Sequence, residues 1–335
     1  MAIVGAIILA HTGASPQKEP YRASSYVYPQ HLTKVGARRM NIFCSGEGSP
    51  TVILDSGLGG DTTDWRLVQG RIARHTRVCS YDRAGMGFSD PASPPRDAAA
   101  IVTDLHALLR AAGIAPPYVL VGHSIAGLYV RLYTDRYPSE VAGLVLVDPS
   151  TEYDDRQFRK VAPGYEHAVS GWRLQVQECV IGAPSGKCTL AFSLAQMKQA
   201  LKAAGCPGPT PAACAVAEVQ AEQAMHSSLW EDLLLEDVAL PRSSAEIHAQ
   251  QRPYGDLPLI VLTAGRPDDY PVPAAELHAI WLAGKELHQR VAALSSRGAN
   301  FVIAGAGHYI QIDQPSAVVS AADEVVDQAR YGTQP

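Results

Sequence analysis

Gly122-His123-Ser124-Ile125-Ala126 follows the apolar run Val119-Leu120-Val121 and leads at once into the helix-like segment Gly127-Leu128-Tyr129-Val130. A serine on so sharp a strand-to-helix turn holds its hydroxyl above the sheet, and the first amides of the following helix have no intrahelical acceptor. Such a hydroxyl can attack a carbonyl carbon while nearby amides hold the oxyanion that forms. It is a poor nucleophile until a base takes its proton. His308 stands just past the apolar run Phe301-Val302-Ile303-Ala304 and beside Gly307, where a general base would sit. That base in turn needs a carboxylate to orient it. A third piece is Ser56-Gly57-Leu58-Gly59-Gly60, a glycine-rich loop after a short apolar strand, able to turn backbone amides toward a ligand. Each piece alone has an ordinary explanation: small residues recur in turns, and a lone histidine among 11 is usually a surface residue.

The elements around these residues alternate. Strands are expected over residues 39–44, 51–55, 78–81, 118–121, 143–147, 259–263 and 301–304. Helical spacing of apolar residues is expected over 98–112, over 274–296 with a break at Gly284, and over 317–331. That rhythm predicts an α/β fold with a mostly parallel sheet and helices on both faces. Residues 151–255 interrupt it with Ala-, Gln-, Glu- and Leu-rich helical sequence and Pro-rich breaks, and read as a helical insertion. The organisation expected is therefore an N-terminal arm or atypical signal segment over 1–30, a core over 31–150 and 256–335, and the insertion over 151–255.

Together the segments resemble the α/β-hydrolase superfamily over about residues 38–150 and 256–330. The oxyanion loop, Tyr81-Asp82-Arg83-Ala84-Gly85-Met86-Gly87-Phe88-Ser89, the serine elbow and the last histidine stand in that family's order. Two departures are Ser56-Gly57, where the family often has His-Gly, and Ala126 at the fifth elbow position. The resemblance implies Ser124 as nucleophile and His308 as base, with the amides of Ile125 and Leu58 as the oxyanion hole. It places the acid three residues beyond a glycine after the strand at 259–263, which is Asp268. Asp269 is one residue away, and Asp148 is a further candidate because some members take the acid from the preceding strand. The resemblance also makes the insertion a cap over the site, in which residues 228–235 could line an acyl pocket or pack as an amphipathic helix. Asp82 and Arg83 read as a structural ion pair beside the oxyanion loop.

Composition narrows the function. A chain of 335 residues with 47% hydrophobic and 18% charged residues is of globular type. A net charge of −5 and a pI near 6.1 leave no basic stripe for nucleic acid. No apolar run is long enough for an integral membrane span. Neither a zinc motif nor a phosphate loop is present, so no metal and no cofactor is expected. Cys44 and Cys79 lie in strand candidates and read as buried thiols. Cys179 with Cys188, and Cys206 with Cys214, flank turn-rich loops and read as two local disulfides of an oxidising compartment. Ile3 to Ala10 is apolar, but no Lys or Arg precedes Lys18, so a secretory start is atypical. The expectation is a secreted or periplasmic serine esterase acting on a small-molecule ester or lactone, with a cytoplasmic location as the alternative and the oligomeric state open. Two rival readings are an aminopeptidase or amidase resembling the proline-iminopeptidase branch, and a non-catalytic binding protein on a hydrolase scaffold. For the former, Glu218, Glu222, Glu231 and Glu236 could meet a substrate amine, or else form a solvated helix face.

Overall fold

Thr51–Asp55, Tyr118–His123, Val141–Val147 and Leu259–Ala264 are buried at nearly every position, without the in–out alternation of a sheet wetted on one side. Strands of that kind must be covered on both faces, as in parallel α/β sheets. The computed structural model describes residues 23–183, 226–267 and 270–332, with residues 188, 219, 222 and 223 between them. Its sheet has eight strands: β1 (Leu32–Val35), β2 (Arg38–Ser45), β3 (Thr51–Asp55), β4 (Val78–Tyr81), β5 (Tyr118–His123), β6 (Val141–Val147), β7 (Leu259–Ala264) and β8 (Gly298–Ile303). Their order is β1-β2-β4-β3-β5-β6-β7-β8. The first two pairings are antiparallel and the rest parallel.

Successive residues of β5 point to opposite layers. Leu120 joins a core with Leu105 and Leu109 of α1 (Ala98–Ala111) and Leu128 and Leu132 of α2 (Ala126–Arg136). Val119 and Val121 join a second core, with Trp65 and with Val318 and Val325 of α8 (Pro315–Tyr331). Between β6 and β7 the described residues form helices: α3 (Asp154–Val161), α4 (Tyr165–Gly182), α5 (Ser227–Val238) and α6 (Leu240–Gln250). α7 (Ala274–Ala292) follows β7 and runs unbroken through Gly284, contrary to the expected break. A mid-helix glycine costs only about 1 kcal/mol relative to alanine, and burial of Ile280, Ala283, Leu287 and Val291 along one stripe offsets it. No described helix is long and apolar enough to cross a membrane.

Two cysteine expectations meet the structure. Cys179 and Cys188 are joined, as expected. Cys44 and Cys79 are also joined, which corrects their reading as thiols. β2 and β4 pair antiparallel with Cys44 opposite Cys79, and the Cα atoms lie 4.0 Å apart, close enough for a cross-strand bridge. Cys206 and Cys214 lie outside the described residues, as does most of the N-terminal arm.

Candidate active site

The registers of β5, β6 and β7 set the C-terminal ends of these strands level: His123 pairs with Val147, and Val147 with Leu262. Ser124 and Asp148, the next residues on β5 and β6, therefore stand side by side. Both have left-handed backbones, φ 54° for Ser124 and φ 40° for Asp148. A non-glycine residue in that region costs of order 1–3 kcal/mol and persists only where its surroundings over-determine it, and such residues cluster at functional sites. At Ser124 the surroundings do so: its amide donates to Val147 O at 3.1 Å, and its carbonyl accepts from Gly127 at 2.9 Å and Ser150 at 2.8 Å. Gly127 is required by close approach, since a Cβ there would lie 2.4 Å from Pro149 Cβ. Ala126 at the fifth elbow position is fully buried, so its single methyl is accommodated.

His308 comes from the loop after β8. Its Nδ1 donates to Asp148 Oδ2 at 2.7 Å, while Asp148 Oδ1 accepts from the Ala264 amide at 2.8 Å. Burial would push the Asp148 carboxyl up. The hydrogen bond and charge of His308, the nearby His288 and the Ala264 amide outweigh burial and hold it below the usual carboxylate range. Asp268 and Asp269, the other two acid candidates, lie outside the described residues. His288 is buried, donates from Nε2 to Pro149 O at 2.8 Å, and stands 3.9 Å from Asp148 Oδ1. Burial lowers its pKa, keeping the second ring beside the acid toward its neutral form.

His123 was an unassigned letter of the elbow in the sequence, yet it holds the histidine loop. Its Nε2 donates to the His308 carbonyl at 3.0 Å, and its ring lies 4.7 Å from that of His308. Burial, reinforced by the charge of His308, lowers its pKa to about 3, so it remains a neutral donor. Its other face meets the glycine-rich loop over 56–60: a Cβ at Gly57 would lie 2.8 Å from His123 Nδ1 and 3.3 Å from Ser124 Cβ. The loop is thus tied against the elbow, with Leu58 partly buried beside it.

Arg83 holds that loop from behind. It donates to the carbonyls of Ser56 and Gly57, to Asp55 at 2.9 Å, and to both oxygens of Glu236 on α5 at 2.9 Å. This corrects the expected Asp82–Arg83 pair, because Asp82 instead accepts from Thr62, Phe88 and Asn41. The same contacts leave Glu236 neither solvated nor open to a ligand, since it is fully buried on Arg83. Glu222 and Glu231 are exposed, and Glu218 lies outside the described residues.

A cavity of about 110 Å³ opens onto Ser124, Asp148 and His308. Its opposite wall is built by Asp154 and Phe158 of α3 and by Ile280, Trp281 and Lys285 of α7. Residues 228–235 do not line it; Trp230 and Leu233 pack instead with Met86, Val176 and Cys179. Trp281 and Lys285 carried one sequence signal, an i, i+4 spacing that puts both on one helix side. Among the described residues no cluster of His, Cys, Asp and Glu could hold a metal ion.

Residues 50–183 match the family model described as alpha/beta hydrolase fold. A protein of Hormonema carpetanum named as a probable transporter is 35% identical over 131 residues, 36% of this chain and 19% of that one. The bovine (lyso)-N-acylphosphatidylethanolamine lipase is 30% identical over 102 residues, 29% of this chain and 30% of its own. The chain thus spans well under half the length of these curated relatives. A probable hydrolytic enzyme of Pseudomonas aeruginosa PAO1 shares the fold with a TM-score of 0.61 at 20% identity, over 86% of this chain and 90% of that one.

Proposed function

We propose that the chain, whose residues 50–183 match the alpha/beta hydrolase fold family, is a serine hydrolase of that superfamily cleaving a carboxylic ester or lactone through an acyl-enzyme. The observation that carries this reading is the 2.7 Å bond from His308 to Asp148 beside a strained Ser124, all three on one cavity. In the reaction Ser124 Oγ bonds to the ester carbonyl carbon as its proton passes to His308 Nε2. The carbonyl π electrons move to the oxygen, which accepts from the amides of Ile125 and Leu58. Asp148 stabilises the imidazolium without taking its proton. The tetrahedral species collapses, the C–O bond to the alcohol breaks, and His308 returns the proton to the leaving oxygen. Water then attacks the acyl-serine by the same route.

In this reading the acid is Asp148, one of the two alternatives offered by the sequence, in place of Asp268, which position along the chain selects, or the other alternative, Asp269. The ester reading is favoured over the aminopeptidase one because Glu236, a candidate for meeting a substrate amine, is committed to Arg83. The two disulfides support a secreted or periplasmic location, since such bridges persist where thiols are not kept reduced.

Fluorophosphonate labelling of the purified protein, with turnover of esters of graded chain length and of an aminoacyl amide, tests the proposal. Ser124→Ala is expected to abolish labelling and lower kcat by about 10⁴-fold or more. Near-normal ester turnover by that variant would sink the reading, and a wild type that neither labels nor turns over any substrate would favour a binding protein.

A further inference from the structure

Lys285 extends from α7 into the cavity, one turn after Trp281, and its Nζ stands 4.4 Å from the centroid of the Trp281 ring. The ring is fixed: Trp281 Nε1 donates to the Ala264 carbonyl at 2.9 Å. Ala264 is the same residue whose amide holds Asp148. One residue at the end of β7 therefore ties down both the acid beside the histidine and the aromatic platform beneath the ammonium.

Among the described residues, the other charges on this cavity are spoken for. Asp148 is engaged by His308 and Ala264. Asp154 accepts from the amide and hydroxyl of Thr151, and burial pushes its carboxyl up to about 7. Arg266 pairs with Asp313 at 3.2 Å. Lys285 has no carboxylate within ion-pair distance among the described residues. It is half-buried, held on an aromatic face, and lines the same cavity as Ser124 and His308.

We propose that Lys285 is a specificity-determining residue that receives a negatively charged group, so that the preferred ester carries a carboxylate on its acyl part. The inference rests on the ester-hydrolase reading above and deepens it by naming the substrate class. A partly desolvated ammonium at contact distance attracts a carboxylate several times more strongly than in bulk water, and the aromatic face keeps it from swinging away. A neutral ester of equal length makes no such contact.

The test compares p-nitrophenyl hemiglutarate with p-nitrophenyl valerate, whose neutral acyl chain has the same number of carbons. Wild-type protein is expected to favour the anionic ester by about 10-fold in kcat/KM, mostly through KM. Lys285→Gln should collapse that ratio toward unity, and Lys285→Arg should restore much of it, because the charge and not the packing is read. Added salt should also reduce the ratio. A ratio near unity in the wild type, or one that Lys285→Gln leaves intact, overturns the proposal. Should neither ester be hydrolysed, the ester reading fails separately, and calorimetric titration with glutarate decides the lysine. Binding that Lys285→Gln abolishes supports it, and no binding to the wild type refutes it.

Discussion

The two walls of the cavity are held by different forces. On one side Ser124, Asp148 and Ala264 are placed by parallel strand register and by backbone hydrogen bonds that sustain positive φ at two of them. On the other side Asp154, Phe158, Trp281 and Lys285 project from helices held by side-chain packing, with Phe158, Ile280, Ala283 and Leu287 as its buried centre. The first wall can change only if the sheet changes. The second can change residue by residue without moving a strand. A reacting group needs the first kind of support, because small misplacements are costly to catalysis, whereas selectivity can be varied on the second.

The sharpest way to break this contrast is at Asp148. Asp148→Asn keeps the shape of the strand-end wall and removes the charge that stabilises an imidazolium. It is expected to lower kcat by roughly 10³–10⁴-fold with little change in the thermal midpoint. Asp268→Asn and Asp269→Asn, measured beside it, should retain activity. If one of them loses it while Asp148→Asn does not, the acid comes from the β7 loop instead.

Next in size is Arg83, where α5 meets the glycine-rich loop over 56–60. Arg83→Met leaves Asp55 without its guanidinium partner and Glu236 with only the more distant Arg96 at 3.9 Å, and removes the donors that hold the carbonyls of Ser56 and Gly57. Breaking a buried pair in this way costs about 3–5 kcal/mol. Denaturant unfolding should show that loss. A fall in kcat/KM of the remaining folded fraction would place the loop's positioning at this arginine, and unchanged stability would remove Arg83 from both roles.

The smallest effect is expected on the helical wall. Burial raises the Asp154 pKa to about 7, above an unfolded value near 3.9. The folded state therefore binds the extra proton, so this group's contribution is fully present below about pH 4 and is lost as pH rises through about 7. Asp154→Asn should flatten the decline of the thermal midpoint between pH 5 and 7 by about 1–2 °C, the shift expected for roughly 1 kcal/mol in a chain of this size. An unchanged slope would mean that the carboxyl is already solvated.

Much of the core was legible in local pattern. Thr51–Asp55 and Val78–Tyr81 coincide with the expected strands, and the others differ by a few terminal residues. β1 escaped because four residues, half of them buried, carry too short a period to read. The elbow was readable because its geometry is local: Gly122 and Gly127 stand where close backbone approach demands them, with Ser124 between.

What the chain alone determined is the set of groups available for chemistry and the elements that carry them. Only the tertiary structure decided which of those groups meet. Cys44 found Cys79 because β4 lies between β2 and β3 in the sheet, an order that no local pattern records. Asp148 reached His308 across 160 positions because β7 and then β8, which leads to the histidine, add to the sheet on the far side of β6 from β5, and Arg83 reached Glu236 across 153 because α5 folds back over the loop. Strand and helix propensities act over a few neighbours, whereas these contacts depend on which strands lie side by side, a choice set by burying the whole sheet at once.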